Sequence, residues 1–537
     1  MRLKFVSNDF FDYDSPTLSR ADYLSATPDA GGKTGRDRRY IGNVPDYPPL
    51  ASAPGVPYSD PRYAYYYGNA INIRNDQLYG ATLHVRLSDR VWAESTGYWE
   101  DKSGYGVSPD AYANSLGQYQ RQSSVGLPVV APRGLQYGLS DVGGDRYGIT
   151  GRIVWEHAGH SLQAGFWAEL DKYHRTQLRL NNENGAPDGA LIPDEIVYLR
   201  RDYRSKRETL QLFVRDRISL PGDRLVLDLG IKSLSLDYQQ RGYRDFNDYV
   251  RTVNGVNLPG WGPQFNAARY TDHFLPSAGL LYKLDARSQI FASYAENYAL
   301  PKGMDDIYAV ALHTSAAVVP QPAPEKSRNV ELGIRTNQRE FYAALAGYYT
   351  RFDNRIQSLA GLLPGTTNVI ETFYQNIGSV EAYGVEFTGT WKPGALRGLA
   401  YFNANVTYNH AKFKDDIPGA AIRGKYLPDS AKWIVAGGVT VEPASWLVAN
   451  FSGRYISRRY ANFVDTFSAP GYTVWNAYVD LGDGISIGPV KNVRARLNID
   501  NVFDKDTLSF ISPQVTTDGL FRPLSPRTIQ GTIAVEF

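Results

Sequence analysis

Two stretches rich in arginine and tyrosine are the parts of this 537-residue sequence best suited to binding chemistry. They span 197–207 and 238–270. A guanidinium group can hold a carboxylate through two parallel hydrogen bonds, while Tyr and Trp rings supply contact area. The pattern therefore predicts a site for a large anionic or aromatic ligand, and the candidate residues are Arg200, Arg201, Arg241, Tyr243, Arg244 and Trp261.

Signals for catalysis are weak. The segment Gly484-Ile485-Ser486-Ile487-Gly488 matches a hydrolase nucleophile motif, which requires a strand before it and a helix after it. Pro489, Val490 and a strand-like stretch follow instead, which favours an ordinary turn. The seven histidines form no metal-binding pair, and the absence of cysteine excludes a disulfide framework, Cys-bound zinc and a thiol nucleophile. We predict no catalytic residue, no metal and no cofactor.

Two acidic pairs, Asp245/Asp248 and Asp305-Asp306, could contact a cation in a loop, although such pairs are more often solvated charge. The formal net charge is only +2. A charge this small does not create the positive field that attracts nucleic acid, so we expect no nucleic-acid partner.

The elements that must position these residues are β-strands, because apolar and polar side chains alternate with a two-residue period. In 493–500 the apolar set is Val493, Ala495, Leu497 and Ile499, and the residues between them are Arg494, Arg496, Asn498 and Asp500. Residues 527–537 alternate as well and end on Phe537. No run of about 20 apolar residues occurs, so a membrane protein with this sequence would have to be a closed barrel.

Short and long connections take turns along the chain. The predicted short turns are Ser88-Asp89-Arg90, Ala158-Gly159-His160, Pro221-Gly222-Asp223, Asp285-Ala286-Arg287, Asn337-Gln338-Arg339, Lys392-Pro393-Gly394 and Glu442-Pro443-Ala444. The predicted long loops lie at roughly 14–62, 102–133, 172–206, 238–270, 299–325, 357–372, 411–430, 457–470 and 504–524. Short periplasmic turns and long extracellular loops are typical of outer-membrane barrels.

The predicted fold is therefore all-β, a transmembrane antiparallel β-barrel of about eighteen strands, since each long loop has one strand on either side. Its first strand covers 3–13, and Phe537 closes the barrel against that strand at the periplasmic rim. On such a barrel the arginine-rich stretches have a second interpretation, which we prefer. They would lie in an outer aromatic girdle and face the phosphates of lipopolysaccharide.

The N-terminal residues 1–9 have neither the apolar segment nor the small-residue cleavage site of a signal peptide. An exported barrel needs such a peptide. We therefore expect the sequence to be an N-terminally shortened form of a longer product.

Four segments resemble the barrel of TonB-dependent outer-membrane receptors, and they occur in that family's order. They are 291–301, 325–335, 376–386 and 497–504. The second resembles the family's E-x-S-x-x-x-E-x-G strand opening, and the third resembles its N-x-G segment followed by G-x-E. The resemblance covers about residues 80–537.

This resemblance implies that residues 1–537 form one siderophore-type receptor barrel, with about eighteen of the family's roughly 22 strands and without its plug domain. The implied activity is non-enzymatic, TonB-coupled uptake of a ferric siderophore or a similarly scarce nutrient, located in the bacterial outer membrane. The implied partners are TonB, whose contact box is not seen here, outer-membrane lipid and lipopolysaccharide, and a small-molecule ligand. The alternatives are a passive porin-like channel and an outer-membrane hydrolase using Ser486.

Overall fold

The computed structural model describes residues 2–11, 17–46, 49–66, 68, 71–299, 323–362, 370–417, 419–482 and 491–536. Antiparallel strands dominate these ranges, so the all-β prediction is confirmed. No helix in them is long and apolar enough to cross a membrane.

The strands of the first half of the chain are β1 (Arg2–Phe11), β2 (Leu18–Ser19), β3 (Ile71–Arg86), β4 (Val91–Asp110), β5 (Gln136–His157), β6 (His160–Asn182), β7 (Leu191–Ser219), β8 (Leu225–Tyr243) and β9 (Gln264–Lys283). Two α-helices lie between them, α1 (Arg20–Leu24) and α2 (Tyr112–Ser123).

The strands of the second half are β10 (Ser288–Ala299), β11 (Glu325–Asn337), β12 (Phe341–Asp353), β13 (Ile356–Leu362), β14 (Ile370–Asn376), β15 (Val380–Trp391), β16 (Ala400–Phe413), β17 (Trp433–Ala444), β18 (Leu447–Ile456), β19 (Arg459–Tyr460), β20 (Ser468–Ala469), β21 (Tyr472–Leu481), β22 (Lys491–Asp500), β23 (Leu508–Ser512), β24 (Leu520–Pro523) and β25 (Thr528–Glu536).

Within the described residues, an 18-stranded antiparallel sheet contains all of these strands except seven short ones in the loops. Each strand of the sheet pairs with the next sheet strand along the chain, from β1 and β3 to β22 and β25. The seven short strands form three small sheets. The predicted contact of Phe537 with the first strand lies outside the described residues, so closure of the barrel stays a prediction, as do the total strand count and the missing plug.

The sheet has two unequal halves. The long-strand half, β4 to β9, has strands of 19 to 29 residues. The short-strand half, from β10 to β25, has sheet strands of 9 to 14 residues. At a rise of about 3.3 Å per residue, the longest strand extends well beyond the roughly 25 Å height of a membrane barrel's apolar band.

One face of the sheet is apolar and exposed. On β11 the side chains of Val330, Leu332 and Ile334 are 47%, 60% and 42% exposed, and the register places them beside outward residues of β12. On β22, Leu497 is 44% exposed and pairs with Gly531, whereas Arg496 lies on the other face, 3.5 Å from Asp480. An exposed apolar band of this kind suits contact with lipid.

The predicted short turns are confirmed, but four of the predicted long loops need correction. Each of the seven predicted short turns lies where two consecutive sheet strands join, and the long connections lie at the opposite edge. In the predicted loop 357–372, residues up to Leu362 and again from Ile370 pair as strands β13 and β14. Residues 300–322 and 363–369 of the predicted loops lie outside the described residues. The predicted loop 172–206 is wrong, because β6 and β7 pair along most of it and leave only 183–190 as a connection. The ends of predicted loops 102–133 and 238–270 are also strand, up to Asp110 and Tyr243 and again from Gln264.

The buried apolar core lies among the loops at that opposite edge. Leu18 in β2 pairs with Phe521 in β24, and both side chains are fully buried. Arg20 binds Asp518 through Nε at 2.7 Å and Nη2 at 3.1 Å. The segment 17–66 thereby packs against the last long loop, 501–527.

Candidate functional site: the loop platform and the charged face below it

On its polar face the long-strand half has a partly buried cluster of acids, bases and rings, which we call the charged cluster. Its members are Tyr98, Glu100, Lys102, Arg146, Trp167, Glu169, Asp171 and Arg207. Tyr98 donates its hydroxyl proton to Glu169 at 2.5 Å, and the Trp167 indole N–H donates to the Tyr98 oxygen at 2.9 Å.

Ion pairs complete the cluster. Arg146 lies 2.6 Å from Glu100, and Arg207 lies 2.7 Å from Asp171 and 3.5 Å from Glu169. Three acids therefore meet three bases at a place where Glu169 and Asp171 are almost completely buried. Because a buried ion left without its partner is strongly unfavourable, this cluster holds four neighbouring strands in one arrangement.

The sequence analysis missed this cluster, although a signal for it exists. Tyr98, Glu100 and Lys102 are two residues apart, as are Trp167, Glu169 and Asp171. Residues at i and i+2 of a strand share one face. Their charge pattern could have indicated the interior face of two strands.

Above the charged cluster three loop segments form what we call the loop platform. Its parts are α2 with the loop up to residue 135, the β6–β7 connection, and the loop 244–263. The Gln122 side chain bonds both the N–H and the C=O of Leu199, at 2.9 and 2.7 Å. Arg121 donates to the Asn247 side chain at 2.7 Å, and Asn257 donates to the Val125 carbonyl at 3.0 Å.

Three of the predicted ligand-binding arginines contact aspartates of the loop 244–263, Arg244 from within that loop and Arg200 and Arg201 from the adjoining strand β7. Arg244 holds Asp248 through Nε at 2.9 Å and Nη2 at 2.7 Å, and both side chains are buried. Arg200 and Arg201 each lie 3.5 Å from Asp245. Burial raises the pKa of the Asp248 carboxyl, and the neighbouring Arg244 guanidinium opposes that rise.

The sequence-based expectation that Asp245 and Asp248 are solvated is therefore wrong. They sit inside the loop because Arg200, Arg201 and Arg244 neutralise them. The ion pairs order the loop platform, which leaves less of these guanidinium groups to meet a ligand.

The other three candidates separate. Tyr243 stacks on Tyr249 with ring centroids 4.2 Å apart. Trp261 lies in the platform, where its backbone N–H donates to the Asn247 carbonyl at 3.1 Å and its indole N–H has no hydrogen-bond partner among the described residues. Arg241 has its guanidinium 4.6 Å from the centre of the Phe265 ring.

Arg241 and Trp261 do not belong to one surface. Arg241 is an outward residue of β8, because its register partner Arg204 shares the face of Leu210 and Leu212 on β7. Arg241 therefore lies on the outward face and not on the polar face of the sheet. Its position fits the girdle interpretation instead.

No group of three or more metal-ligating His, Cys, Asp or Glu side chains is found in the described ranges. The hydrolase-like segment 484–488 and the acidic pair Asp305-Asp306 lie outside those ranges.

Comparisons with known proteins support the β-barrel interpretation. The family model described as "TonB dependent receptor-like, beta-barrel" matches residues 6–502. The ferrioxamine receptor of Yersinia enterocolitica is 24% identical over 341 residues, which cover 59% of this chain and 43% of that receptor. The chain thus spans less than half of the length of this relative.

Solved structures share the fold. The ferric-catecholate import receptor Fiu from Escherichia coli K12, in its closed form, aligns with a TM-score of 0.62 at 15% identity, covering 99% of this chain and 71% of that one. The ferric citrate transporter FecA aligns with a TM-score of 0.61 at 15% identity, covering 87% and 62%. These matched proteins are receptors and transporters, which confirms the expectation of a non-enzymatic family.

Proposed function

Since the chain belongs to the TonB-dependent receptor family, whose β-barrel it contains, we propose that it forms the outer-membrane barrel for TonB-coupled uptake of a ferric siderophore. A similarly scarce nutrient bound in the same way would fit the proposal. The whole chain, 1–537, is taken as one barrel unit. TonB is the proposed energy-transducing partner, and the small-molecule ligand enters from the loop side.

The observation that carries this proposal is the joint position of the loop platform and the charged cluster. The platform is ordered by buried ion pairs at the edge of the sheet where the long loops lie. The charged cluster continues from it down the polar face of the same strands. Ordered loops above a polar interior suit capture of a polar ligand from outside.

The chemical class of the ligand is proposed from the relatives. Their names refer to ferrioxamine, ferric citrate and ferric catecholates, which are all iron chelates rich in oxygen atoms. We assign ligand contact to the ring of Trp261 in the platform and to Arg200 on the adjoining strand β7. Trp261 is partly exposed, although its indole N–H is buried without a hydrogen-bond partner among the described residues, and the Arg200 side chain stays 25% exposed.

A binding assay on whole cells tests the proposal. The chain is expressed in the outer membrane of a strain lacking its own siderophore receptors, and binding of ⁵⁵Fe-loaded ferrioxamine, citrate and catecholate chelates is measured. We expect saturable binding of one chelate and weaker binding in Trp261→Ala. Trp261→Phe, which keeps a ring but removes the N–H, should be intermediate.

Uptake is then compared in strains with and without TonB. Accumulation that needs TonB supports the receptor. A correctly inserted chain that binds none of the chelates, or that admits them equally without TonB, contradicts the proposal, and the second result would favour the porin-like alternative.

A further inference from the structure

The sequence contains Asn-Gly at two positions, 184–185 and 254–255. An asparagine before a glycine is prone to modify itself, because glycine has no side chain to hinder its own backbone nitrogen and leaves the peptide free to turn toward the asparagine side chain. Both asparagines are exposed, and both lie in the loop platform. Their surroundings differ, so the two sites form a comparison within one molecule.

Residues 252–259 of the loop 244–263 are all exposed and form what we call the finger. Val253 and Val256 each donate a backbone hydrogen bond to the carbonyl of the other, at 3.3 and 3.0 Å. Asn254 and Gly255 are the two residues of the turn between them. In the part of the chain that the structure describes, neither the Asn254 side chain nor the Gly255 N–H has a hydrogen-bond partner. The two groups that would react are therefore unrestrained.

The backbone of the finger is strained. Four of its residues other than glycine have left-handed φ, namely Val253 at 99°, Val256 at 79°, Asn257 at 40° and Leu258 at 81°. Such values are costly for a β-branched residue. An Asn-Gly turn in a hairpin usually takes left-handed φ at its own two residues, and neither Asn254 nor Gly255 does so here. The turn is thus away from its preferred conformation, and the strain favours its rearrangement.

The base of the finger is attached to α2 and to the residues after it. Asn257 donates to the Val125 carbonyl at 3.0 Å, and Arg121 donates to the Pro259 carbonyl at 3.2 Å. Gly260, the next residue, is buried. The tip can therefore rearrange without opening the rest of the loop platform.

The other Asn-Gly sequence is held in place. Asn184 lies in a tight turn that the Ala186 N–H closes by donating to the Glu183 carbonyl at 3.2 Å. Gly185 is buried, and its carbonyl accepts a hydrogen bond from the Leu135 N–H at 3.0 Å. A Cβ added to Gly185 would clash with the neighbouring loop backbone, so the peptide has no space to turn. Attack by the Gly185 nitrogen requires this turn to open first.

We propose that Asn254 deamidates spontaneously in the folded protein. Solvent hydroxide removes the Gly255 N–H proton, and the nitrogen attacks the side-chain amide carbon of Asn254. The amide nitrogen leaves as ammonia after taking a proton from water, and a cyclic succinimide remains. Water then opens that ring at either carbonyl, which gives aspartate or isoaspartate at position 254 with a new negative charge.

The products differ from the starting loop in charge and in length. A neutral turn becomes acidic, and isoaspartate adds a methylene carbon to the main chain between Val253 and Val256. The added carbon lets both valines leave left-handed φ, so the reaction releases strain. It needs no enzyme, and the charge on this surface of the platform then depends on the age of the molecule.

Peptide mapping by mass spectrometry tests the proposal. The full chain is purified from the outer membrane in detergent, incubated at mildly alkaline pH in water labelled with heavy oxygen, and digested. Positions 254 and 184 are compared in the same sample. We expect position 254 to react faster by about tenfold or more, because position 184 must first break the hydrogen bonds that hold its turn. Both aspartate and isoaspartate should appear at 254, each carrying solvent oxygen.

Two controls separate the fold from the local sequence. Gly255→Ala keeps Asn254 but hinders the attacking nitrogen, and should slow the reaction at 254 without changing position 184. In the urea-unfolded chain the two positions should react at similar rates. Equal rates in the folded chain would overturn the proposal, as would a difference of the same size in urea. Aspartate at 254 without isoaspartate would also overturn it, since that result indicates direct hydrolysis without a succinimide.

Discussion

The two halves of the sheet use their polar faces differently. In the long-strand half, three acids and three bases meet around Glu169 and Asp171, which are almost completely buried. In the short-strand half, uncharged groups predominate, such as Tyr348, which donates to the Asn409 side chain at 2.8 Å, and Asn409, which donates to Ser430 at 2.7 Å. Ion pairs on the inner face thus join the long strands, whereas uncharged hydrogen bonds join the short ones.

The outward faces differ as well. Above the apolar band of the short-strand half, Lys326, Arg328, Arg351 and Lys414 form ion pairs. In the long-strand half, Lys172, Arg204 and Arg241 form none with the residues that the structure describes. In the long-strand half, ion pairs on the inner face thus stabilise the strands, while cations on the outward face are exposed. The following predictions test this contrast, from the largest expected effect to the smallest.

Removing the base that meets both buried acids of the charged cluster should have the largest effect. We expect Arg207→Ala to lower the free energy of unfolding by about 3–5 kcal/mol, because it leaves the almost completely buried carboxylates of Glu169 and Asp171 without the guanidinium that lies 3.5 and 2.7 Å from them. Asn405→Ala, which removes an uncharged partner of Thr388 in the other half, should cost about 0.5–1.5 kcal/mol. Urea unfolding from lipid vesicles, followed by tryptophan fluorescence, measures both. Equal costs would remove the contrast between the polar faces.

A charge on the apolar band should be unfavourable in both halves. Leu497→Arg and Leu212→Arg should each destabilise the barrel by about 2–4 kcal/mol if the residues lie near the midplane. Asn498→Arg, on the opposite face of β22, is the matched control and should cost much less. The same unfolding assay applies, and a tolerated Leu497→Arg would mean that the assignment of faces in β22 is wrong.

The loop platform should be sensitive at Gln122. Gln122→Ala leaves the N–H and C=O of Leu199 without partners, which costs about 1–3 kcal/mol. Hydrogen exchange should accelerate at residues 196–200 and stay unchanged in β11. Ser124→Ala, which removes one local bond to the Arg121 carbonyl, is the control. Unchanged exchange around Leu199 would mean that α2 does not hold the β6–β7 hairpin.

The contact between segment 17–66 and the last loop should have a small pH dependence. A hydrogen bond from Arg36, with the backbone N–H of Arg527, holds the pKa of Asp504 below its usual range. A lowered pKa in the folded state means that the contact is complete at neutral pH and is lost as pH falls through that value, below about 3.9. Limited proteolysis of segment 17–66 across this range should show the loss, and Asp504→Asn should weaken its pH dependence, because the Arg20–Asp518 pair still joins the segment to the loop.

The sequence by itself was sufficient for the strands that cross the apolar band. Alternation in 493–500 and the short turns such as Pro221-Gly222-Asp223 depend on local residue order, and they indicated the all-β fold and the alternation of turns and loops correctly. The upper parts of β6 and β7 were misread as loop. Above the lipid both faces of a strand carry polar side chains, so Lys172 and Arg175 show no apolar alternation although their backbones are paired.

Only the tertiary structure decided what each arginine does. Arg241 and Arg244 are three residues apart in the same stretch, yet one faces outward beside Phe265 and the other is buried against Asp248. Residue type allows both outcomes. The outcome depends on strand register and on partners from other strands and loops, such as Arg204 on β7. These partners are too far away in the sequence for a local pattern to predict them.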